Sequence, residues 1–267
     1  MSQRKRVIIG AVVAVVLVAL LILGVYGTLS YTYDNAESYT AGEGEINAAS
    51  LSAIQLDWLN GYVSIKGYEG DTVLFYEAAK QADEMQMRWR LQDGVLDIRY
   101  CADGTLPNNS KKQLEIMVPY EIAADIEVNT VGASVICNNI QLKDLTAYSE
   151  TGLLNIAVTA DSVNVGSNAG TIKLRGNIKD LTCATASAES TIRLTEQPQR
   201  MYIAADSGDV TLTLPEQSNF VATFDSKTGT LVNQFEGEVE NNTLTVGNGK
   251  GSYTFLTVDA DVILQKD

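Results

Sequence analysis

The side chains that most often carry out enzyme chemistry are scarce in this sequence. Histidine is absent from its 267 residues, which excludes Ser-His-Asp and Cys-His catalysis as well as zinc sites that need imidazole. The three cysteines, Cys101, Cys137 and Cys183, lie too far apart for a CxxC metal or redox motif. Chemistry that uses carboxylates, or a serine with a lysine, is not excluded by these counts.

Two acidic stretches resemble fragments of a calcium loop, "DSGD" at residues 206–209 and "DAD" at residues 259–261. Neither has the ligand count of a hand-like calcium loop or the tandem Gly-Gly-x-Gly-x-Asp pattern. We therefore interpret both stretches as turns. The sequence predicts no metal site and no cofactor.

One pattern of apolar residues recurs along the chain. Around Gly170, apolar residues stand seven and five positions before and two and four positions after, and Ser167 stands three positions before. Alternation with period two on both sides of the anchor indicates two strands per copy. From residue 133 onward, successive anchors are 18 to 22 residues apart. The template fits at the following anchors: Gly61, Ala133, Gly152, Gly170, Ser190, Gly208, Gly229 and Gly251.

Small residues recur three positions before these anchors, which favours turns that stack on one another. We therefore predict an all-β fold, a right-handed parallel β-solenoid-like stack of two-strand rungs of 18–22 residues. An antiparallel sandwich or barrel is the alternative, because hairpin meanders also alternate and also have turns rich in glycine. The column of small residues reads Thr130, Ser149, Ser167, Ser187, Ala205 and Ser226.

The outward positions one and three after each anchor define the candidate site. Thr171, Lys173, Thr191 and Arg193 form a candidate binding face, a short cationic strip on an acidic domain; the plainer alternative is a solvated pair of charges. Asp209 is the lone acid in these two columns. Since glycan-cleaving enzymes need two carboxylates within reach of one bond, we predict no catalytic residues and no enzyme activity.

The copies are interrupted between residues 72 and 119. The stretch "MQMRWRLQDGVLDIRY" contains two alternating strands around Asp93-Gly94, a strong type I′ hairpin signal. We expect this insertion to cap the N-terminal end of the stack, with Trp58 and Trp89 sealing the core. The template also places Cys137 and Cys183 inward and leaves Cys101 accessible.

The N-terminus has the pattern of a membrane anchor. Residues 7–29 are 23 uncharged residues, about 34 Å long as a helix, and the cluster Arg4, Lys5 and Arg6 precedes them. We predict a cytoplasmic tail (1–6), a transmembrane signal-anchor helix (7–29), a linker (30–49) and an extracytoplasmic β-repeat domain (50–267). A cleaved signal peptide is the alternative, although its apolar core would normally be shorter. The prediction is a single-pass protein of the cell membrane.

The charge of the chain argues against polyanionic partners. Lysine and arginine number 19 against 33 acidic residues, a net charge of −14. Such a surface is soluble and repels nucleic acid, so we predict no nucleic-acid binding.

Several motifs together resemble a known family. A hairpin ending "DGVLDI" is followed by a strand ending "VP", then "IEVNTVGASV" and repeats such as "SNAGTIKL" and "ADSGDVTL". This order, over about residues 50–267, resembles the bacterial putative-adhesin family of β-strand-repeat domains of unknown function. The resemblance implies an extracytoplasmic module for adhesion, binding or envelope sensing, with an unknown envelope protein or surface polymer as partner. It carries no catalytic residues; an envelope glycan-acting enzyme on a β-helix scaffold is the alternative function.

Overall fold

The structure is a computed structural model that describes residues 38–79, 85–101 and 112–267. The predicted tail (1–6) and membrane span (7–29) lie outside the described residues. Within the described ranges, no helix has the length and apolar character needed to cross a membrane.

Strands dominate the described residues, and a short 3₁₀ helix covers Ala48–Ser50. The strands before the repeats are β1 (Thr40–Ala41), β2 (Gly44–Asn47), β3 (Ala53–Trp58), β4 (Gly61–Tyr68), β5 (Thr72–Glu77), β6 (Arg88–Gln92), β7 (Val95–Arg99) and β8 (Lys112–Pro119). The middle strands are β9 (Asp125–Thr130), β10 (Ser134–Ser149), β11 (Leu154–Ser167), β12 (Ile172–Thr185), β13 (Ser190–Leu194), β14 (Arg200–Ala205) and β15 (Val210–Leu214). The last strands are β16 (Phe220–Ser226), β17 (Leu231–Asn233), β18 (Glu238–Glu240), β19 (Thr243–Val246), β20 (Gly251–Thr257) and β21 (Val262–Lys266).

These strands form two facing sheets, which we call sheet 1 and sheet 2. The long strands β10, β11 and β12 bend from sheet 2 into sheet 1, so each supplies a strand to both. Sheet 1 has the order β1–β6–β7–β3–β9–β10–β11–β12–β14–β20–β16–β19–β18. Sheet 2 has the order β2–β5–β8–β4–β10–β11–β12–β13–β15–β21–β17.

Pairing is parallel through the body of both sheets and antiparallel at their ends. The antiparallel pairs involve β1, β2, β5 and β6 at one end and β18 and β19 at the other. The expected parallel stack is therefore present, and the antiparallel sandwich or barrel is not the architecture of the body.

Period-two alternation places one set of side chains inside the stack. The template puts an inward residue five positions before each anchor, and Ala147, Val165 and Ile203, five before Gly152, Gly170 and Gly208, lie in one column, with Cys183 between the last two. All four side chains are at most 1% exposed. Each large aliphatic side chain buried in such a column contributes about 1.5–3 kcal/mol relative to an exposed one.

The register differs from the predicted one at two anchors. Ile172 pairs with Ser190, so Ala188 rather than Ser190 lies in line with Gly170. Ala260 likewise occupies the position that the template gave to Gly251, which instead begins β20 and pairs with Phe220. The anchors of neighbouring rungs lie so close together that a Cβ on Gly208 would be 2.1 Å from the Ala188 carbonyl oxygen. This contact identifies Ala188 as the anchor that stacks on Gly208.

Hydroxyl side chains hold the turns. The Ser149 and Ser167 hydroxyl oxygens accept hydrogen bonds from the backbone N–H groups of Gly152 (2.8 Å) and Gly170 (2.9 Å). With the observed register, the column three positions before the anchor contains Thr185 instead of Ser187. The Ser149 and Ser167 hydroxyls each satisfy a backbone N–H group at a turn that is buried between neighbouring rungs.

The rungs do not stack in chain order. Residues paired across sheet 2 are 18 to 20 apart from β10 to β15, but Val210 then pairs with Val262, 52 residues further on. The rung of β20 and β21 is thus inserted between the rung of β14 and β15 and that of β16 and β17. In the same way, β3 and β4 lie between β7 and β8 on one side and β9 and β10 on the other.

The insertion forms the N-terminal cap, as its sequence predicts. Asp93 and Gly94 connect β6 to β7 with φ angles of 52° and 79°, the two positive values of a type I′ turn. Trp58 is 1% exposed, and its ring meets that of Tyr100 edge-on at 5.2 Å. Lys112 lies beside these rings and forms a buried ion pair with Glu77, 2.7 Å between Nζ and Oε1.

The predicted linker contributes to this cap. Residues 40–47, expected to be irregular, form β1 and β2, which pair with β6 and β5. The Tyr39 hydroxyl donates to the buried Asp97 carboxylate at 2.6 Å, and burial, together with that carboxylate, raises the pKa of Tyr39 to about 12. The regular domain therefore begins before residue 50.

Candidate functional site

The residues of the predicted binding face reach the surface, but they do not all have the neighbours that the sequence predicts. Lys173 pairs with Thr191, whereas Arg193 pairs with Arg175, two residues further along β12. Lys173 and Arg193 are both exposed but are not opposite each other. Thr171 lies in the turn before β12, where its carbonyl oxygen accepts from the backbone N–H of Leu154.

A groove of about 870 Å³ crosses the rungs where the long strands bend. Asn139, with a φ angle of 58°, and Gly176, with a φ angle of 138°, mark the bend in β10 and β12. A Cβ on Gly176 would lie 1.8 Å from the Val158 carbonyl oxygen, so the floor of the groove requires glycine there. The groove is lined by Tyr120, Glu121, Asn139, Ile140, Gln141, Ala157, Val158, Thr159, Arg175, Gly176, Asn177, Arg193, Thr195 and Asp267.

Two rows of side chains run along this groove, one position per rung. The first row consists of uncharged polar residues after an initial acid. The second row contains two adjacent guanidinium groups, Arg175 and Arg193. The first row reads Glu121, Gln141, Thr159, Asn177 and Thr195.

The charges of the groove are only partly paired. Arg193 forms an ion pair with Asp267, 2.5 Å between Nη2 and Oδ1, with both side chains well exposed. Arg175 is exposed and makes no ion pair with any residue that the structure describes. A guanidinium group without such a pair can bind an anion, because its planar fork of donors fits a carboxylate.

Arg175 was missed by the sequence analysis, although a signal for it exists. It lies five positions after Gly170, and Arg193 lies five positions after Ala188. The two arginines coincide only when Ala188 replaces Ser190 as the anchor. A register shifted by two residues preserves the alternation of inward and outward side chains, so alternation alone does not reveal the error.

The same shift changes the acidic columns. Asp209 was predicted to be the lone acid beside the anchors, but Glu189, Asp209 and Asp261 occupy one position on three neighbouring rungs. This is the stacked arrangement that would suit a carboxylate enzyme. The prediction of an isolated acid was wrong because the anchors Ser190 and Gly251 were misaligned.

Two of these acids are used to hold turns. Asp209 Oδ1 accepts from the backbone N–H of Asp261 at 3.0 Å. Asp261 Oδ1 accepts from the backbone N–H and the hydroxyl of Thr230 at 2.7 and 2.8 Å, which lowers the pKa of the Asp261 carboxyl. A general acid needs a raised pKa, so Asp261 is suited to a structural role. No cluster of three His, Cys, Asp or Glu side chains in the described ranges is placed to hold a metal ion.

Comparisons with known proteins give one family match and several similar solved structures. The model of the family Toastrack DUF4097 matches residues 77–263. Among solved structures, a putative adhesin from Bacteroides fragilis is 13% identical, with 85% of this chain and 97% of that chain covered and a TM-score of 0.49. A putative cell adhesion protein from Clostridium sporogenes is 16% identical, with 86% and 100% covered and a TM-score of 0.38. No curated protein matches the chain.

Proposed function

This chain belongs to the Toastrack family of β-repeat domains, and from that premise we propose that it is a non-catalytic binding module anchored at the outer face of the cell membrane. The groove over the bend of β10, β11 and β12 is the observation that carries the binding role. It is open, it draws residues from successive rungs, and its walls combine amide, hydroxyl and guanidinium groups with two carboxylates, Glu121 and Asp267. The amide, hydroxyl and guanidinium groups orient a ligand, and Asp267 is held in its ion pair with Arg193.

The sequence of residues 1–29 supports the anchoring. The basic cluster of Arg4, Lys5 and Arg6 stands before the uncharged span, and the first acid follows at Asp34. This asymmetry favours a cytoplasmic N-terminus and an extracytoplasmic domain. The acidic surface of the remainder is compatible with solvent and disfavours nucleic-acid ligands.

Retention of envelope material tests the binding role. The full-length chain, purified in mild detergent and immobilised, should retain a protein or polymer from a solubilised envelope fraction. If the retained component is a polymer, its length should be the same after elution as before binding. The Ile172→Asp variant, in which the stack is disrupted, is the control and should retain nothing. Failure of the unaltered chain to retain any component, or shortening of the retained polymer, would contradict the proposal.

Protease accessibility tests the topology. Protease added to intact cells should remove the chain beyond residue 30 and leave a short fragment in the membrane. A cytoplasmic protein of the same cells should stay intact and serves as the control. Full protection of the region beyond residue 30 would refute the extracytoplasmic assignment.

A further inference from the structure

We propose that the groove binds a largely uncharged glycan strand that carries a carboxylate group, and that Arg175 receives this carboxylate. The inference rests on the proposed binding function and adds its site and the chemical class of its ligand. It depends on three features of the groove: the polar row, the arginine pair and the aromatic ring at the far end.

The polar row offers hydrogen bonds at regular intervals. Gln141, Thr159 and Asn177 are direct partners on neighbouring strands, and Thr195 continues the row. Strand spacing places successive members about 4.8 Å apart, so the row from Glu121 to Thr195 is about 19 Å long. Amide and hydroxyl groups both donate and accept, which matches the hydroxyl groups of a sugar chain lying along the stack.

The arginine pair provides one place for an anion. Arg193 is oriented by Asp267, whereas the fork of Arg175 is free of any ion pair among the described residues. Two guanidinium groups on neighbouring strands repel each other, and a carboxylate between them relieves that repulsion. The bidentate geometry of an arginine with a carboxylate adds direction to this contact.

The opposite end of the groove carries an exposed aromatic ring. Tyr120 is 47% exposed, and a Cβ on Gly67 would lie 2.9 Å from its Cδ1, so one edge of the ring is supported by the backbone. An aromatic ring in such a position can pack against the apolar face of a sugar while its hydroxyl stays in water.

The charge balance excludes a dense polyanion. Glu121 and Asp267 also line the groove, and the whole chain carries a net charge of −14. Screening confines the attraction of the arginine pair to about 8 Å at physiological ionic strength. A ligand with a carboxylate at intervals along an uncharged strand fits these limits better than a polyphosphate or a nucleic acid.

The experiment compares a hyaluronan hexasaccharide, in which carboxylated and uncharged sugars alternate, with its methyl ester. Calorimetry with the full-length chain in detergent should show binding of both, with the ester weaker by about tenfold because it loses a charge-assisted hydrogen bond. Arg175→Gln should bind acid and ester alike. Lys179→Gln is the matched control, since it removes an exposed charge from the same strand outside the groove, and it should keep the preference for the acid.

A second pair of variants tests the aromatic end. Tyr120→Ala should weaken binding of acid and ester by the same factor, whereas Tyr76→Ala, which removes an exposed tyrosine outside the groove, should change neither. Equal affinity of the unaltered chain for acid and ester, or no binding of either, would overturn the inference. If Arg175→Gln kept the preference for the acid while the unaltered chain retained the envelope component of the earlier experiment, the binding function would stand and this site would be wrong.

Discussion

At the scale of single residues, the thiols show how burial controls reactivity. Cys137 and Cys183 are at most 1% exposed, as their inward positions predict, and burial raises the pKa of each thiol from 9.0 to about 12. Cys101 was expected to be accessible but is only 8% exposed, because it lies against the Lys112 side chain and the cap. The strand end that follows the hairpin is covered by tertiary contacts that no local pattern encodes.

The raised thiol pKa values predict a loss of stability at high pH. In the unfolded chain each thiol ionises above about pH 9, whereas in the folded chain it stays neutral until about pH 12. Stability is therefore full below pH 9 and is lost as pH rises towards 12, by about 1.4 kcal/mol per thiol one pH unit above 9. Urea unfolding at pH 8 and pH 10 should show this drop, and the Cys137→Ala, Cys183→Ala double variant should show it reduced. The same pH dependence in both proteins would rule out the thiols as its source.

A glycine in a stacked turn gives a second prediction at this scale. A Cβ on Gly170 would lie 2.0 Å from the Gly152 carbonyl oxygen, which is backbone and cannot move alone. Gly170→Ala should therefore lower the free energy of unfolding by about 1–3 kcal/mol in chemical denaturation. Gly132→Ala is the control, because its Cβ would meet the side chain of Asn60, which can rotate away. Equal losses in the two variants would show that the backbone contact is unimportant.

At the scale of strands, the sequence predicts which side chains point inward but not every register. Alternation correctly places Ile172 inside and Lys173 outside. A shift by one residue would move every side chain of the strand to the opposite face, so the apolar pattern excludes it. It does not distinguish Ser190 from Ala188 as an anchor, since a shift by two leaves each side chain on its own face. The turn distinguishes the two registers. In the observed register Thr185 lies three positions before the anchor Ala188, whereas a register displaced by two residues puts Ser187 in that column.

The two neighbours on β12 provide the test of inward and outward faces. Ile172→Asp places a carboxylate where the side chain is fully buried, and it should destabilise the domain by several kcal/mol, or prevent folding. Lys173→Asp keeps its side chain in water and should change stability by no more than about 0.5 kcal/mol. Thermal unfolding followed by circular dichroism measures both. Similar losses from the two substitutions would mean that the register of β12 is wrong.

At the scale of the whole molecule, the order of the rungs could not be read from the repeat. Each rung presents the same inward apolar columns and the same turn, so any rung can stack on any other with similar burial. The sequence therefore predicts a stack in chain order, with the last copy at the end. The structure instead inserts β20 and β21 beside β14 and β15, and closes the end with β16 to β19. There Phe220 packs between Tyr253, stacked at 4.8 Å, and Phe235, edge-on at 5.3 Å.

This inserted rung predicts how the domain responds to truncation. A chain that ends at residue 249 lacks β20 and β21, and so β14, β15, β16 and β17 each lose one neighbouring strand. Hydrogen exchange should show lost amide protection in β14 and β15, while β10 and β11, several rungs away, remain protected. In a stack ordered like the sequence, β14 and β15 would keep their neighbours and their protection. Val239→Asp, at a side chain that is 74% exposed in β18, should leave protection unchanged and serves as the control.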